Sequence, residues 1–447
     1  MTSSLPGRSM LRRVFIFCCG ALVVLCLQRL HAQQQSKPDK ITQQALKQTK
    51  LQLDEAMQSK DESLVRKLVS ESVSILGNRA GVPEVDDEFR KAPEKIEPLT
   101  NEEAEVGFEK ILQFVQKNKW WRIGLDPTKT EHLPREVATC MMGCLEGYRA
   151  NTRNKEALLK EATEAGDYLL WTQQQAGTGV IPFPAFRGGR NRAFEAADAF
   201  LSNAERAGRL DEVAKNGWAF DDLTDGGLQF DNRLCGVALF ELFELSKEDR
   251  FQKGAVAAAD WAVNRPCVTN WNYNSFSVYL LATAYRITHD SKYLAAAKEK
   301  TLLGVLPGQL QDRPNKGRWV DPHNARPAYH YIMIRGLTAL FAVLPEDDED
   351  DGDRERIATS VRTAMQARNG EFASKGIMNV DSSLEAILLF KSLPIKQQKA
   401  IGPCQTDEAF AVLERHCVAR LRKNEGSFSP GVGGSYFAWI LSHSKQD

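Results

Sequence analysis

The 447-residue sequence predicts an all-α fold, an (α/α) toroid of about five to six helical hairpins. The first observation is a repeat: Phe243 and Phe251 recur 42 residues later as Tyr285 and Tyr293, and each pair brackets a short charged turn between two apolar helices. The second is the number of such hairpins. Five to six is about the number that closes a ring in which every hairpin buries its apolar stripe against its neighbours.

Residues 1–32 predict a signal peptide. Arg8, Arg12 and Arg13 precede a mostly apolar run, Val14–Leu27, that is short for a membrane span. Leu30 stands where a small residue usually precedes the cleavage site, so an uncleaved signal anchor is the alternative and the only predicted membrane contact. Either way the protein is predicted to be exported, as a periplasmic, secreted or cell-surface protein.

Residues 33–100 predict a polar helical extension and a linker. Helical periodicity covers Ile41–Met57 and Ser63–Leu76, and the proline-containing stretch Gly77–Thr100 is typical of a linker. The toroid domain is predicted to span residues 101–447. Asn101, followed by two acidic residues, is the expected N-cap of its first helix.

The rest of the domain is predicted as helices in pairs, most of them joined by short turns. The expected pairs are Glu136–Tyr148 with Glu156–Trp171, Leu234–Leu245 with Phe251–Val263, Phe276–Ile287 with Tyr293–Leu303, Tyr329–Leu344 with Arg354–Arg368, and Ser382–Leu393 with Asp407–Arg422, before a last helix near Tyr436–Ser442. The connection Gln173–Leu228 is too long for a turn, and long ordered insertions are usually functional.

Polar and aromatic residues gather in the connections between hairpins, whereas the turns within hairpins are short and charged. An opening at the end of the ring lined by Trp, Tyr, Asn, Asp and Arg is suited to bind sugars. The apolar faces of sugar rings stack on aromatic side chains, and sugar hydroxyl groups form hydrogen bonds with planar polar side chains. The sequence therefore predicts a carbohydrate substrate, an oligo- or polysaccharide. The predicted substrate-binding residues are Trp121, Trp218, Trp271, Asn272, Asn274, Trp319, Arg326 and Tyr329.

Carboxylates in these connections predict glycoside hydrolysis, which needs one protonated and one ionised carboxyl group. The preferred pair is Asp222 or Asp225 with Asp321, from separate loops facing one pore. A structural interpretation competes for each of them. Asp225 begins a Gly-rich turn, and Asp321 precedes a proline.

His323 is the fourth predicted catalytic residue, because it lies in a loop beside Asn324. The predicted constellation around it includes Asn272, Arg326, Tyr329 and Arg335. A polysaccharide lyase needs such groups to neutralise a uronate carboxylate and to move the α-proton. His330, within a helix, is the weaker candidate. Lyase activity is thus the alternative to hydrolysis, and non-catalytic glycan binding at the cell surface is a third possibility.

Other classes of function are disfavoured by charge and motif. Without residues 1–32 the chain has 54 basic and 58 acidic side chains, which does not suit nucleic acid. No metal site and no cofactor are predicted, since zinc-like spacings, phosphate loops and dinucleotide fingerprints are missing from the sequence. Cys140 and Cys144 are predicted to be small buried residues of one helix.

Together, the repeated turn-and-aromatic pattern and the Trp-, Asp-, Asn- and His-rich connections resemble the six-hairpin α/α-toroid carbohydrate-active enzymes, which include glycoside hydrolases and polysaccharide lyases. The resemblance covers roughly residues 100–443 and is architectural. It implies the toroid fold and a glycan substrate, and it implies no individual catalytic residue, because Asp222-Leu223-Thr224-Asp225 and Asp321-Pro322-His323-Asn324 match no single family's signature.

Overall fold

A computed structural model of the chain describes residues 40–83, 89–119, 121–124, 126, 133–185, 187–188, 192–223, 226–312, 314–346, 352–377, 379–423 and 428–443. The predicted signal peptide lies outside these residues. Within them, no helix combines the length and the apolar character needed to cross a bilayer.

Six inner helices form a closed ring around one axis. They are α4 (Pro134–Arg149), α8 (Leu228–Ser246), α10 (Trp271–Thr288), α12 (Pro327–Val343), α14 (Val380–Lys391) and α17 (Pro430–His443). Each contacts the next in this order, and α17 contacts α4, which closes the ring.

Six outer helices surround the ring, and each packs on an inner helix. They are α3 (Asn101–Lys117), α5 (Lys155–Ala176), α9 (Asp249–Asn264), α11 (Ser291–Gly304), α13 (Asp353–Lys375) and α16 (Thr406–Lys423). The first outer helix, α3, packs on the last inner helix, α17, so the two ends of the domain complete the sixth pair. The predicted toroid is confirmed, with six pairs.

The repeat seen in the sequence is a repeated turn geometry. Lys247 and His289 are 42 residues apart, and both adopt left-handed backbone conformations, with φ of 59° and 57°. Their backbone N–H groups donate to the carbonyls of Phe243 and Tyr285, at 2.8 and 2.9 Å, and so cap α8 and α10 identically. The turns within pairs define one end of the ring, the turn end; the inner helices begin at the other, the connection end.

Neighbouring inner helices approach closely where a residue has a small side chain or none. A Cβ atom on Gly434 of α17 would lie 2.8 Å from the Cα atom of Gly143 in α4. A Cβ atom on Gly336 of α12 would lie 2.3 Å from Oγ of Ser275 in α10. Glycine at these positions lets the ring close tightly.

The N-terminal helices α1 (Lys40–Gln58) and α2 (Glu62–Leu76) pack against each other and join the main hydrophobic core. Two ion pairs also link this segment to the outer helices: Lys60 bonds Glu299 of α11 and Glu62 bonds Arg356 of α13, both at 2.8 Å. The extension is therefore part of the folded body. A 3-10 turn, Gly77–Arg79, follows α2.

The first ring helix begins one residue earlier than expected. Its N-cap is Thr100, whose hydroxyl accepts the N–H of Glu103 at 3.2 Å while the Glu103 carboxylate accepts the N–H of Thr100 at 2.9 Å. This is a capping box, and the expected cap, Asn101, is already helical.

The long insertion between α5 and α8 folds into a small unit at the connection end. It contains β1 (Phe183–Pro184), α6 (Arg192–Arg206), α7 (Leu210–Val213), β2 (Ala214–Lys215) and β3 (Trp218–Ala219), and β3 lies between β1 and β2. A separate apolar cluster that includes Phe183 and Phe194 joins it to Leu133 and Leu228, beside the starts of α4 and α8. The remaining elements are a 3-10 turn, Leu306–Gly308, and α15 (Ile395–Ile401).

Each cysteine in the described part of the chain is free and buried. Cys140 and Cys144 lie on α4 as predicted, 2% and 1% exposed.

Candidate functional site

Four polar side chains come together where the connection 305–326 enters α12. We name them the connection-end cluster: Asp321, His323, Arg326 and Tyr329. The His323 ring stacks on the Tyr329 ring at 4.3 Å between centroids, and the Arg326 guanidinium carbon lies 5.6 Å from the centroid of Tyr329. All four side chains are partly exposed. The cluster thus combines a carboxyl group, an imidazole, a phenol and a cation in one accessible place.

Asp321 is held by the turn that it begins. Its carboxylate accepts the backbone N–H of Asn324 at 2.9 Å, and each of its oxygens accepts the Asn324 amide, at 3.0 and 2.9 Å. Burial raises the pKa of Asp321, while the hydrogen bonds from Asn324 and the nearby His323 oppose that rise. A carboxyl group with a raised pKa can keep a proton and give it to a substrate.

The turn is tied to α10 by a chain of amides. The side-chain oxygen of Asn324 accepts the backbone N–H and the side-chain amide of Asn272, at 3.0 and 2.8 Å. The same Asn272 amide also donates to Asn270 at 2.6 Å. Asn272 is only 1% exposed, so it orients the cluster from behind and does not reach the surface where a substrate would lie.

The four tryptophans expected to bind sugar lie in the interior, and that expectation is corrected. Trp218, Trp271 and Trp319 are 1%, 2% and 0% exposed, and Trp121 is 4% exposed. Trp319 also donates its indole N–H to the carbonyl of Val305 at 2.9 Å. An indole without an exposed face cannot stack on a sugar, so these residues pack the connections onto the ring.

Asn274, another expected substrate ligand, is also structural. It is 0% exposed, accepts the N–H of Val268 at 2.9 Å and donates to the carbonyls of Val268 and Gly304, each at 2.7 Å. Asn232, 42 residues earlier, similarly accepts the N–H of Ile181 at 3.0 Å. A buried asparagine at this repeat position fixes a connection to its inner helix, which leaves no polar atom for a ligand.

Among the predicted carboxylates, Asp222 has structural partners on both oxygens. It is 7% exposed, forms an ion pair with Arg265 and accepts the backbone N–H of Leu228 at 2.9 Å. These contacts join the insertion to the start of α8 and the end of α9. The position of Asp222 therefore argues against its expected role as half of a catalytic pair, and Asp225 lies outside the described residues.

His330 is a packed histidine, as its place within a helix suggested. It is 0% exposed, its Nε2 lies 3.2 Å from the carbonyl oxygen of Ala364, and its Nδ1 accepts the guanidinium N–H of Arg368 at 2.9 Å. Burial, with the charge of Arg368, lowers its pKa well below the usual range. It is neutral and takes no part in the connection-end cluster.

A second polar region was not predicted. A cavity of about 460 Å³ follows the ring axis toward the turn end and is lined by side chains from all six inner helices. Its charged and aromatic lining residues are Glu146, Arg149, Arg233, Glu241, Tyr279, Arg335, Glu385 and Trp439. The available signal was a charged residue inside an otherwise apolar stretch of an inner helix, which holds for Arg335.

No protein-family model matches the sequence, and a search of curated proteins finds no match. Three solved structures do match. The first is a polysaccharide lyase, 12% identical with a TM-score of 0.44, and the match covers 77% of this chain and 98% of the lyase. The second is a glycosyl hydrolase family 88 protein from Bacteroides vulgatus, also 12% identical with a TM-score of 0.44, and the match covers 77% of this chain and 99% of the hydrolase. An unsaturated glucuronyl hydrolase specific for heparin is 11% identical with a TM-score of 0.27, over 72% of this chain and 98% of its own. All three are carbohydrate-active enzymes, the group that the sequence resembles. Their similarity is too low to transfer a substrate or a mechanism.

Proposed function

We propose that this protein is a glycan-active enzyme whose chemistry takes place at the connection-end cluster, and that it cleaves an acidic glycan by β-elimination. The observation that carries the proposal is the stacked, partly exposed pair of His323 and Tyr329 beside the Arg326 guanidinium. Elimination beside a uronate carboxylate requires a cation for that carboxylate, a base and an acid. The cluster has one of each.

The roles follow from the chemistry of the groups. Arg326 pairs with the uronate carboxylate and acidifies the adjacent C5–H. The imidazole of His323 takes the C5 proton, the C4=C5 double bond forms, and the bond from C4 to the glycosidic oxygen breaks. The phenol of Tyr329 protonates the leaving oxygen. The new double bond is conjugated with the carboxylate, so the product absorbs in the near ultraviolet.

Hydrolysis is the second candidate, and the raised pKa of Asp321 is the observation that favours it. A hydrolase needs a protonated carboxyl group to protonate the glycosidic oxygen, together with a second, ionised carboxylate. Asp222 is bound to Arg265, which makes it a poor second group. We therefore rank elimination above hydrolysis.

The reaction class is tested by incubating the purified protein with a panel of uronic-acid and neutral polysaccharides, while recording ultraviolet absorbance and reducing ends together. Elimination predicts that both rise in step on at least one uronate polymer and that neutral polymers give neither. Reducing ends without absorbance would establish hydrolysis. Binding without either product across the panel would leave the non-catalytic interpretation.

Asp321 separates the two candidates by pH. If Asp321 is the acid of a hydrolase, its protonated form is required, so turnover falls as the pH rises through its raised pKa and Asp321→Asn abolishes turnover. If Asp321 only orders the turn, Asp321→Asn retains turnover, and its pH profile matches that of the wild type. Rate profiles of both proteins between about pH 4 and 9 make this distinction.

We also propose that the protein is exported, on the basis of the basic, then apolar, N-terminal segment. N-terminal sequencing of protein recovered from outside the cytoplasm should find a mature chain that begins near Gln33. Retention of residues 1–32 would instead indicate a signal anchor.

A further inference from the structure

The axial cavity contains two buried cations. Arg233 of α8 and Arg335 of α12 both line it, and they are 6% and 7% exposed. Arginine side chains are rarely buried to this degree unless their charge is paired. Their partners therefore decide whether the site is complete.

The cations outnumber the acids in this part of the cavity. Arg335 forms an ion pair with Glu385. Arg233 lies over the ring of Tyr279, with 4.0 Å between guanidinium carbon and ring centroid, and among the described residues no carboxylate pairs with it. In the same part of the chain, Nε of Arg233 and Nε of Arg335 have no hydrogen-bond partner. Among the described residues, the two guanidinium groups thus have one carboxylate partner between them, Glu385, and it pairs with Arg335.

Both guanidinium groups are charged at neutral pH. Burial lowers the pKa of Arg233 to about 10, and burial together with the charge of Arg233 lowers the pKa of Arg335 to about 9. The inner part of the cavity therefore carries one unpaired positive charge. An uncompensated buried charge is costly, and a bound anion would remove that cost.

The outer part of the cavity has a different character. At the turn end, Arg149 bonds Glu146 at 3.1 Å and also pairs with Glu241. These carboxylates can accept hydrogen bonds from hydroxyl groups, and Trp439 supplies an aromatic wall. About 460 Å³ is far more than an inorganic anion fills and lies within the range of small-molecule sites.

We propose that the axial cavity binds a small hydroxylated organic carboxylate, with the ligand carboxylate between Arg233 and Arg335 and its hydroxyl groups toward Glu146 and Glu241. The single unpaired positive charge of the inner part favours a monoanion. This site lies within the ring and does not use the connection-end cluster, so it can exist whether or not that cluster is catalytic.

Gluconate and sorbitol test the proposal as a matched pair, because they differ only in having a carboxylate or a hydroxymethyl group at one end. Calorimetric titration of the full-length wild-type protein should detect gluconate and not sorbitol, and gluconate should raise the melting temperature. Arg233→Met should weaken gluconate binding at least tenfold, as expected for loss of a charged contact. Arg153→Met, at an exposed surface ion pair with Glu102, should bind gluconate as the wild type does.

The unliganded melting temperature gives a second readout. A cation that is kept for a ligand costs stability when the site is empty, so Arg233→Met should melt at the same temperature as the wild type or higher. Equal gluconate binding by wild type and Arg233→Met would overturn the proposal, as would no binding by the wild type. Binding of inorganic phosphate but not gluconate would also overturn it, because the ligand would then be a free inorganic anion.

Discussion

Asp222 illustrates at the scale of one residue how a carboxylate in a polar loop can be structural. Its ion pair with Arg265 is buried on both sides, since the side chains are 10% and 8% exposed. Arg265 keeps a weaker contact with Asp221 at 3.4 Å, and that aspartate is more exposed. The stability of this corner of the ring therefore depends on the charge of Asp222.

Asp222→Asn should destabilise the protein by about 3–5 kcal/mol, because it breaks a buried ion pair and leaves the Arg265 guanidinium undercompensated. Urea denaturation followed by circular dichroism measures the loss. Asp211→Asn, at an exposed position in α7, is the matched control and should change stability by less than about 0.5 kcal/mol. Unchanged stability with a large loss of turnover in Asp222→Asn would restore the catalytic role that the sequence favoured.

The tryptophans show that the burial of a single side chain in a connection could not be predicted from the sequence. Trp319 lies in a connection, as predicted, and Trp271 is the first residue of α10, yet both rings are buried in the core. A connection must cover the hydrophobic end of the ring and can also line a binding site, and an indole side chain can serve in either role. Residue composition cannot distinguish a buried indole from one that lines a binding site. The direction of a side chain in an irregular loop depends on contacts with residues distant in sequence. Asn272 shows the same limit, because its partner Asn324 comes from the 305–326 connection.

At the scale of elements, the hairpins were predictable because their signals are local. Apolar periodicity sets each helix, and the equivalent caps at Lys247 and His289 set the turns. The insertion was recognised as an ordered unit, but its sheet was not. Its strands contain two residues each, too few to show alternation, and side chains such as Phe194 hold them through contacts distant in sequence.

Close helix packing leads to a prediction about two glycines. Gly336→Ala places a methyl group 2.3 Å from Oγ and 2.6 Å from the backbone oxygen of Ser275, so α10 and α12 must separate. We expect a loss of about 1–3 kcal/mol in the free energy of unfolding. Gly370→Ala, in the exposed part of α13 with only a 3.6 Å contact, should instead gain about 0.5–1 kcal/mol. Thermal denaturation of both variants tests this, and equal effects would contradict the tight ring.

At the scale of the whole molecule, ring closure creates features that no single hairpin contains. The axial cavity exists only because six inner helices surround one axis, and it brings together Arg233, Arg335 and Glu385 from three of them. Sequence spacing predicts the helices and the end at which connections gather. It does not predict which inward-facing charges meet across the axis, since that depends on the rotation of each helix.

The ring also separates two polar regions, one at the connection end and one toward the turn end. We propose that the chemistry occurs at the connection end. Tyr329 lies there, whereas Tyr285, also partly exposed, lies at the end of α10 beside the turn. The two residues allow the same chemical change, loss of one phenol oxygen, to be made at both ends of the ring.

The most direct test is the turnover number of Tyr329→Phe against that of Tyr285→Phe, on whichever uronate polymer the wild-type protein cleaves. Circular dichroism should show that both variants are folded. The proposed acid role predicts that Tyr329→Phe loses about 10²–10⁴-fold in turnover, while Tyr285→Phe stays within about twofold of the wild type. Wild-type turnover in Tyr329→Phe would contradict the assignment of the active site to the connection end.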